Sequence, residues 1–350
     1  MYVSELIPPR DDEQLDIKAV AAWIRSQESL PAGIPDVAQF GGGKANLTYL
    51  LTFPNGIELV LRRPPLGPIA QSSHDMTREY RVLSRLWSSF NKAPRAFALC
   101  EDESVIGAKF TIMERKPGVV VRGSVPEVFG AGEDVESNRK LSEVVIDTLA
   151  EFHRVDPSEC GLGELGHPDG FLSRQVAGWS ERWENARHED NPLADDLGRW
   201  LLAEMPTSSK TTLLHNDWRL DNMAVSPTDP GECTAVYDWD MATRGDPLVD
   251  LGTLLASWFD PGEAPEALGM MPTQTVGWME RATAVKRYRG QVDHELDSID
   301  WYLAFGSWKL AIILQQIYIR WLRGQTKDPR FAALDDGARL LFRLADERRN

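Results

Sequence analysis

Cysteine, histidine and long apolar stretches are scarce in this chain of 350 residues. Its three cysteines lie far apart and form no C-x-x-C pair, so neither a disulfide framework nor a cysteine metal site is indicated. No uninterrupted apolar run approaches the length of a membrane span, and the charged, proline-containing start of the chain is unlike a secretory signal. We therefore expect a cytoplasmic protein that does not insert into a membrane.

Positive charge is also in short supply, because 38 lysines and arginines face 53 aspartates and glutamates, for a net charge of −15. Nucleic acids and anionic membranes are bound by clustered lysine and arginine, so we expect neither as a partner. The hydrophobic share of 42% and the charged share of 26% are ordinary for a globular protein. A chain of this length has room for two lobes and a sizeable core. The oligomeric state cannot be read from it.

The most informative segment runs from His215 to Asn222, reads H-x-D-x-x-x-x-N, and is called the HND loop below. A D-x-D motif follows at Asp238. In phosphoryl transfer, this order supplies a base for the attacking hydroxyl and then two magnesium ligands. We assign the base to Asp217 and the metal ligands to Asn222 and Asp238. Either motif alone would fit scattered acidic loops, but both at this distance, each after a short apolar strand, favour a kinase.

A glycine-rich turn that includes Gly42 and Gly43 precedes two predicted strands, which a turn at residues 54–56 joins. Such a hairpin can lie over a nucleotide, because glycine N–H groups approach phosphates with no side chain in the way. A plain hairpin loop would have the same composition. The glycines therefore indicate a nucleotide site only in combination with the other motifs.

The second of these strands contains Arg62, and the helix predicted from Ser73 to Trp87 carries Glu79. In kinases, a carboxylate on this helix pairs with a basic strand residue that holds the α- and β-phosphates. Arginine would hold them as a planar fork, whereas the usual lysine is a point charge. An ordinary surface ion pair is the alternative. The spacing predicts a buried helix face formed by Met76, Tyr80, Leu83 and Trp87.

Further strands are predicted at residues 105–107 and 110–114, and helical patterns dominate from residue 137 onward. We therefore predict an N-lobe at residues 1–114 and a C-lobe at residues 115–350. Backbone groups from Glu114 to Lys116 would lie at the junction, within reach of the nucleotide base.

A later apolar helix is predicted to begin with Asp246 as its N-cap, just before Pro247. Asp250 falls inside this helix, and a buried carboxylate needs hydrogen-bond donors. The backbone N–H groups of the HND loop are the expected donors. The segment from Trp301 to Leu322 is apolar but interrupted by polar residues, so we predict a long helix buried in the protein.

With these residues in place, the chain resembles the aminoglycoside phosphotransferase family of small-molecule kinases. The similarity rests on the HND loop, on residues 238–240, on the stretches 40–49, 60–65 and 78–83, and on the tail at 301–305. It looks closest to the branch related to kinase domains fused to some acyl-CoA dehydrogenases. The resemblance implies an α+β, two-lobed protein-kinase-like fold, with a small antiparallel-sheet N-lobe and a larger, mainly helical C-lobe.

The resemblance also implies a reaction, which is transfer of the γ-phosphoryl group of ATP, with Mg²⁺, to a hydroxyl of a small molecule. His215 would brace the loop and do no proton chemistry. Arg62 stands where the family usually has lysine. Asp240 ranks below Asp238 as a metal contact.

The substrate stays open at this point. The branch suggests a hydroxyacyl-CoA, to which the basic residues Lys286, Arg287 and Arg289 would contribute contacts. The family name and the acidic balance suggest an amino-sugar. The rival function is a pseudokinase that binds nucleotide without turnover, which Arg62 favours and the intact motifs oppose. A metal-dependent hydrolase would need a His/Asp cluster, and the six histidines are widely dispersed.

Overall fold

The computed structural model describes residues 6–41, 46–65, 75–263, 271–326 and 328–349. Its first part is an antiparallel sheet of six strands with two helices, α1 and α2. The strands lie in the order β1-β2-β3-β4-β6-β5. Their bounds are β1 Leu6–Ile7, β2 Asp36–Phe40, β3 Leu47–Thr52, β4 Glu58–Arg63, β5 Ala96–Cys100 and β6 Phe110–Glu114, with α1 at Ile17–Arg25 and α2 at Met76–Leu86.

The two faces of this sheet pack against different partners. Leu59 and Leu61 of β4 belong to the apolar cluster that contains α1, whereas Val60 belongs to the cluster that contains α2. Successive side chains of a strand point to opposite faces. Arg62 therefore shares the α2 side with Val60, and Arg63 lies on the α1 side, where it donates to the Tyr49 hydroxyl at 3.1 Å.

Both helices begin at an aspartate, as the capping preference predicts. Asp16 accepts hydrogen bonds from two N–H groups at the start of α1, and Asp75 does the same for α2. The prediction that Trp87 belongs to the buried face of α2 was wrong, because Trp87 is 36% exposed. Trp87 lies just past the end of the helix, and its ring lies under the Arg95 guanidinium, 4.5 Å from it. Glu79 is instead fully buried within that face.

The strand predicted at residues 105–107 was also wrong, because these residues form a turn. The Gly107 N–H bonds the Glu103 carbonyl at 2.7 Å, and Gly107 has a positive φ of 80°. Asp102 caps the turn by accepting from the Ser104 N–H at 2.9 Å. The strands that pair with β6 are β4 and β5, and both come earlier in the chain.

The rest of the described chain is mainly helical, with two small antiparallel sheets. One sheet has the order β10-β9-β7, and the other pairs β11 with β8. The strands are β7 Val119–Val120, β8 Thr212–Leu214, β9 Met223–Ser226, β10 Asp229–Val236 and β11 Thr243–Gly245. The helices are α3 Val135–His153, α4 Phe171–Ala186, α5 Pro192–Ala203, α6 Leu248–Ala256, α7 Arg281–Arg289, α8 Ile299–Leu322 and α9 Leu334–Glu347.

Helices α6 and α8 cross with their backbones in contact. A Cβ atom added at Gly306 would lie 2.3 Å from the Gly252 carbonyl oxygen, and one at Gly252 would lie 2.4 Å from the Tyr302 carbonyl oxygen. Glycine at both positions is what permits this approach. Most of α8 is buried, as predicted, and none of the described helices is long and apolar enough to cross a membrane.

Candidate active site

The HND loop and the Asp238 motif are brought together by strand pairing. The HND loop follows β8, and β9 begins directly after it. In the antiparallel pair of β9 and β10, Met223 lies opposite Val236, and the Tyr237 N–H donates to the Asn222 carbonyl at 2.8 Å. This register places the last residue of the HND loop beside the start of the Asp238 motif.

Asp217 and Asn222 are in direct contact. The Asn222 side-chain N–H₂ donates to the Asp217 carboxylate at 2.8 Å and to the Asp217 carbonyl at 3.0 Å. Burial raises the pKa of Asp217, while the nearby charge of Arg219 lowers it. Because the Asn222 side-chain nitrogen donates to Asp217, the amide oxygen of Asn222 is the atom that can bind a further partner.

His215 is buried and acts as a brace within the loop. Its Nε2 lies 2.8 Å from the Tyr237 carbonyl oxygen, and its Nδ1 accepts the Asp217 N–H at 3.3 Å. A carbonyl oxygen only accepts, so Nε2 is the donor in this hydrogen bond. Both ring nitrogens are thereby used, which agrees with the expectation that His215 does no proton chemistry.

Asp250 binds the loop from α6, as the sequence predicts. Its carboxylate accepts the N–H of His215 at 2.7 Å and the N–H of Asn216 at 2.8 Å. His153 Nε2 lies 3.4 Å away, and the Tyr288 hydroxyl lies 2.7 Å from His153 Nδ1. Burial would raise the pKa of Asp250, but the hydrogen bonds from His153 and His215 hold it below its usual value.

Arg62 connects two carboxylates that come from distant parts of the sequence. One guanidinium nitrogen donates to Glu79 at 2.7 Å, and another donates to Asp238. Burial raises the pKa of Glu79 to about 7, against the opposing effect of the Arg62 charge. Burial disfavours the Arg62 charge as well, yet Glu79 and Asp238 keep its pKa above the usual value. Asp238 itself has a left-handed backbone, with φ of 66°.

The segment from Glu114 to Lys116, predicted to contact the nucleotide base, lies at the end of β6. Some of its polar groups already form hydrogen bonds within the protein. The Glu114 N–H donates to the Arg95 carbonyl at 2.8 Å. The Lys116 carbonyl accepts the Tyr237 hydroxyl at 2.9 Å, and its ammonium donates to the Asn91 carbonyl at 2.9 Å. A nucleotide base would have to use the remaining backbone groups of this segment.

The predicted glycines Gly42 and Gly43 lie outside the described residues. Two residues that sequence reasoning missed do lie at the site. Asn46, at the start of β3, donates to the Asp240 carboxylate at 3.3 Å. Lys309, on α8, donates to the Asn216 carbonyl at 3.3 Å. The available signal for Lys309 was a lysine inside an otherwise apolar helix.

The donors at the site fit magnesium better than a soft metal. They are the amide oxygen of Asn222 and the carboxylate of Asp238, and hard oxygen ligands suit Mg²⁺. In the described part of the chain, no group of three or more His, Cys, Asp or Glu side chains is arranged to hold a metal ion. Magnesium in nucleotide sites uses one or two carboxylates and completes its shell with phosphate oxygens and water. The donor set therefore fits a metal that binds together with a nucleotide.

Comparison with known proteins agrees with this chemistry. Residues 36–281 match the phosphotransferase enzyme family. The chain is 32% identical over 302 residues to acyl-CoA dehydrogenase family member 11 of Gallus gallus, covering 84% of this chain and 38% of that protein. It is 30% identical over 298 residues to family member 10 of Mus musculus, covering 84% of this chain and 27% of that protein. The chain thus spans well under half of these relatives.

Solved structures cover the chain more completely. The "putative aminoglycoside phosphotransferase" of Ralstonia eutropha JMP134 has 31% identity and a TM-score of 0.79, with 96% of this chain and 98% of that one covered. A thermostable mutant of aminoglycoside phosphotransferase APH(4)-Ia, in a ternary complex with AMP-PNP and hygromycin B, has 16% identity and a TM-score of 0.59 over 93% of this chain. These matches confirm the predicted two-lobed α+β fold, and the chain belongs to the phosphotransferase enzyme family.

Proposed function

We propose that the protein is a small-molecule kinase that transfers the γ-phosphoryl group of ATP to a substrate hydroxyl. The observation that carries the proposal is the convergence of Asp217, Asn222 and Asp238 at one pair of strand ends, with Arg62 joined to Asp238. Those groups are the base, the metal ligands and the phosphate-binding cation that the reaction needs. The family membership supports the same reaction class.

In this mechanism, Asp217 accepts the proton of the attacking hydroxyl, and the Asn222 N–H₂ fixes the orientation of its carboxylate. Asn222 and Asp238 would hold Mg²⁺, which supplies neutralisation of the phosphate charge when bound. Arg62, oriented by Glu79, would bind the α- and β-phosphates. His215 and Asp250 hold the HND loop in position through their hydrogen bonds. Catalysis then comes mostly from positioning and fixed charges.

The remaining parts of the nucleotide site follow the same proposal. The nucleotide would lie between an N-lobe at residues 1–114 and a C-lobe at residues 115–350. The N–H groups of Gly42 and Gly43 would cover its phosphates, and the backbone between Glu114 and Lys116 would contact its base.

A pseudokinase is the second candidate, and one contact favours it. The Arg62 guanidinium is joined to Asp238, which is the proposed metal ligand. Metal binding has to share or open this ion pair. A protein in which the ion pair of Arg62 and Asp238 stayed intact would bind nucleotide weakly and would not catalyse phosphoryl transfer.

The substrate is either a hydroxyacyl-CoA or an amino-sugar in this proposal. The acyl-CoA dehydrogenase relatives favour the first, and the neighbour with bound hygromycin B favours the second. Of the basic residues that would serve a CoA ligand, Arg287 is already neutralised by Asp147, at 2.6 and 2.7 Å. A CoA site on α7 would therefore depend on Lys286 and Arg289.

The test is ATP consumption with magnesium against a panel of hydroxyacyl-CoAs, amino-sugars and simple alcohols. We expect Asp217→Asn to lower turnover by ~10²-fold or more while nucleotide affinity stays largely intact, because the base is lost and the phosphate site remains. Asp229→Asn, an exposed carboxylate paired with Lys140, is the matched control and should behave as wild type. Nucleotide binding without consumption for any acceptor of the panel would leave two explanations, a pseudokinase or an acceptor outside the panel.

A further inference from the structure

Lys309 is a buried cation beside the HND loop. It lies on α8 and is 4% exposed. Its ammonium donates to the Asn216 carbonyl at 3.3 Å and lies 5.6 Å from the centre of the Trp179 ring. Among the described residues, no carboxylate forms an ion pair with it. Most of the residues around it on α8 are apolar and buried.

Such a placement costs folding free energy. An ammonium group taken out of water without a carboxylate partner is destabilised, and an apolar side chain of similar length would be better tolerated. Burial accordingly lowers the pKa of Lys309, while the more distant Asp217 and Asp250 carboxylates favour its charged form. A lysine here therefore needs an explanation other than the stability of the helix.

The residue that Lys309 contacts, Asn216, is held by several contacts. Asn216 has a left-handed backbone with φ of 67°, which is unfavourable for a residue with a side chain. Its N–H donates to Asp250, its side-chain N–H₂ donates to the Met241 carbonyl at 2.8 Å, and its carbonyl accepts from Lys309. Three separate segments thus hold this one residue, which directly precedes Asp217.

We infer that Lys309 is a positioning residue of the proposed kinase reaction, whose hydrogen bond to the Asn216 carbonyl holds Asp217 in place. The inference rests on the proposed function for its catalytic consequence. Asp250, on α6, holds the Asn216 N–H. Lys309, on α8, holds the Asn216 carbonyl. Loss of either contact lets the strained backbone relax, and a small displacement of a base is enough to slow proton transfer.

The experiment compares Lys309→Met and Lys309→Arg with wild type. Met keeps the length and loses the donor, whereas Arg keeps a donor and a charge. Gln315→Met is the matched control, because Gln315 is a buried polar residue on the same helix that bonds His188 at 2.9 Å and not the HND loop. The readouts are magnesium-dependent ATP turnover with the best acceptor of the panel, the KM of that acceptor, ATP affinity, and amide hydrogen exchange of residues 215–222.

We expect Lys309→Met to lower kcat by about tenfold or more with little change in KM or ATP affinity. Hydrogen exchange in residues 215–222 should become at least about tenfold faster, and Lys309→Arg should recover part of both losses. Gln315→Met should change neither. If Lys309→Met does not fold, Lys309→Leu, which also lacks a donor, replaces it.

Two results would overturn the inference. One is a Lys309→Met protein whose exchange and kcat match those of Gln315→Met. The other is a rise in acceptor KM at unchanged kcat, which would make Lys309 a substrate contact. If wild type consumes no ATP with any acceptor, the proposed function has failed separately, and the exchange comparison still decides whether Lys309 holds the loop.

Discussion

Arg62 shows at the residue scale how strand geometry selects one of two adjacent arginines. Arg62 and Arg63 are neighbours in β4, but only Arg62 lies on the side of the sheet that faces Glu79 and Asp238. Its planar guanidinium has separate nitrogens for the two carboxylates, whereas a lysine ammonium is a single point with a shorter reach. The arginine is therefore suited to a position between two carboxylates. This explains how arginine can stand where the family usually has lysine.

We predict that Arg62→Lys raises the dissociation constant of magnesium-ATP by about tenfold, because one of the two carboxylate contacts that orient the side chain is lost. Arg63→Lys is the matched control, since Arg63 bonds the Tyr49 hydroxyl on the opposite face. Calorimetric titration of both variants measures the difference. Equal affinities for the two variants would show that the second carboxylate contact of Arg62 does not contribute to nucleotide binding.

Several residue contacts could be predicted from the sequence because they follow from local chemistry. The Asp250 carboxylate inside an apolar helix required donors, and the HND loop supplies them. The contacts of Asn46 and Lys309 were missed, because they join positions 194 and 93 residues apart in the sequence. Such pairings depend on how α8 and β3 pack, which no local pattern specifies. The roles of Asp217, Asn222 and Asp238 remain predictions until activity is measured.

At the scale of elements, periodicity located α2 and α8, and errors came where turn chemistry competed with apolar residues. The N-cap predicted for α6 at Asp246 was wrong by one residue, because the N-cap is Pro247 and the Asp246 carboxylate accepts the Leu248 N–H at 2.9 Å. The turn at residues 103–107 contains Val105 and Ile106, which are typical of strands. The Asp102 cap and the positive φ of Gly107 outweigh that preference. The contact between α6 and α8 had no local signal, because the two glycines that make it are far apart in the sequence.

We predict that Gly306→Ala destabilises the protein by about 1–2 kcal/mol. The added methyl group meets the Gly252 carbonyl at 2.3 Å, so a helix must move, and overpacking of ~1–3 kcal/mol exceeds the helix-propensity gain of up to ~1 kcal/mol. Gly290→Ala is the control, because a Cβ atom there has only ordinary contacts at 3.6 Å. Urea unfolding measures both variants. If Gly306→Ala has the same free energy of unfolding as wild type, α6 and α8 can move apart without loss of stability.

For the whole molecule, the candidate site joins the six-stranded sheet to the mainly helical part. Contacts from Arg62 to Asp238 and from Asn46 to Asp240 cross between them. Both end on carboxylates, in a chain whose net charge is already −15. Among the described residues, a triphosphate brought to this place meets the carboxylates of Asp217, Asp238 and Asp240 beside the cation Arg62. The lobe boundary between residues 114 and 115 stays a prediction.

This electrostatic balance predicts that ATP binds only together with a divalent cation. Arg62 forms an ion pair with Asp238, and the Asp217 and Asp240 carboxylates repel phosphate unless a metal neutralises it. At 100 times the dissociation constant, binding stabilises a protein by ~2.7 kcal/mol, which should raise the melting temperature by about 4 °C. We therefore expect that rise with ATP and magnesium, and almost none with ATP and EDTA.

Asp238→Asn, which removes the proposed metal ligand, should lose most of the rise while Asp229→Asn keeps it. Thermal unfolding followed by intrinsic fluorescence is a suitable measurement, because the chain has 12 tryptophans. An equal rise with EDTA would show that the nucleotide binds without the metal. In that case the cations of the site would have to overcome the surrounding carboxylates without a metal, and Asn222 and Asp238 would lose their proposed role.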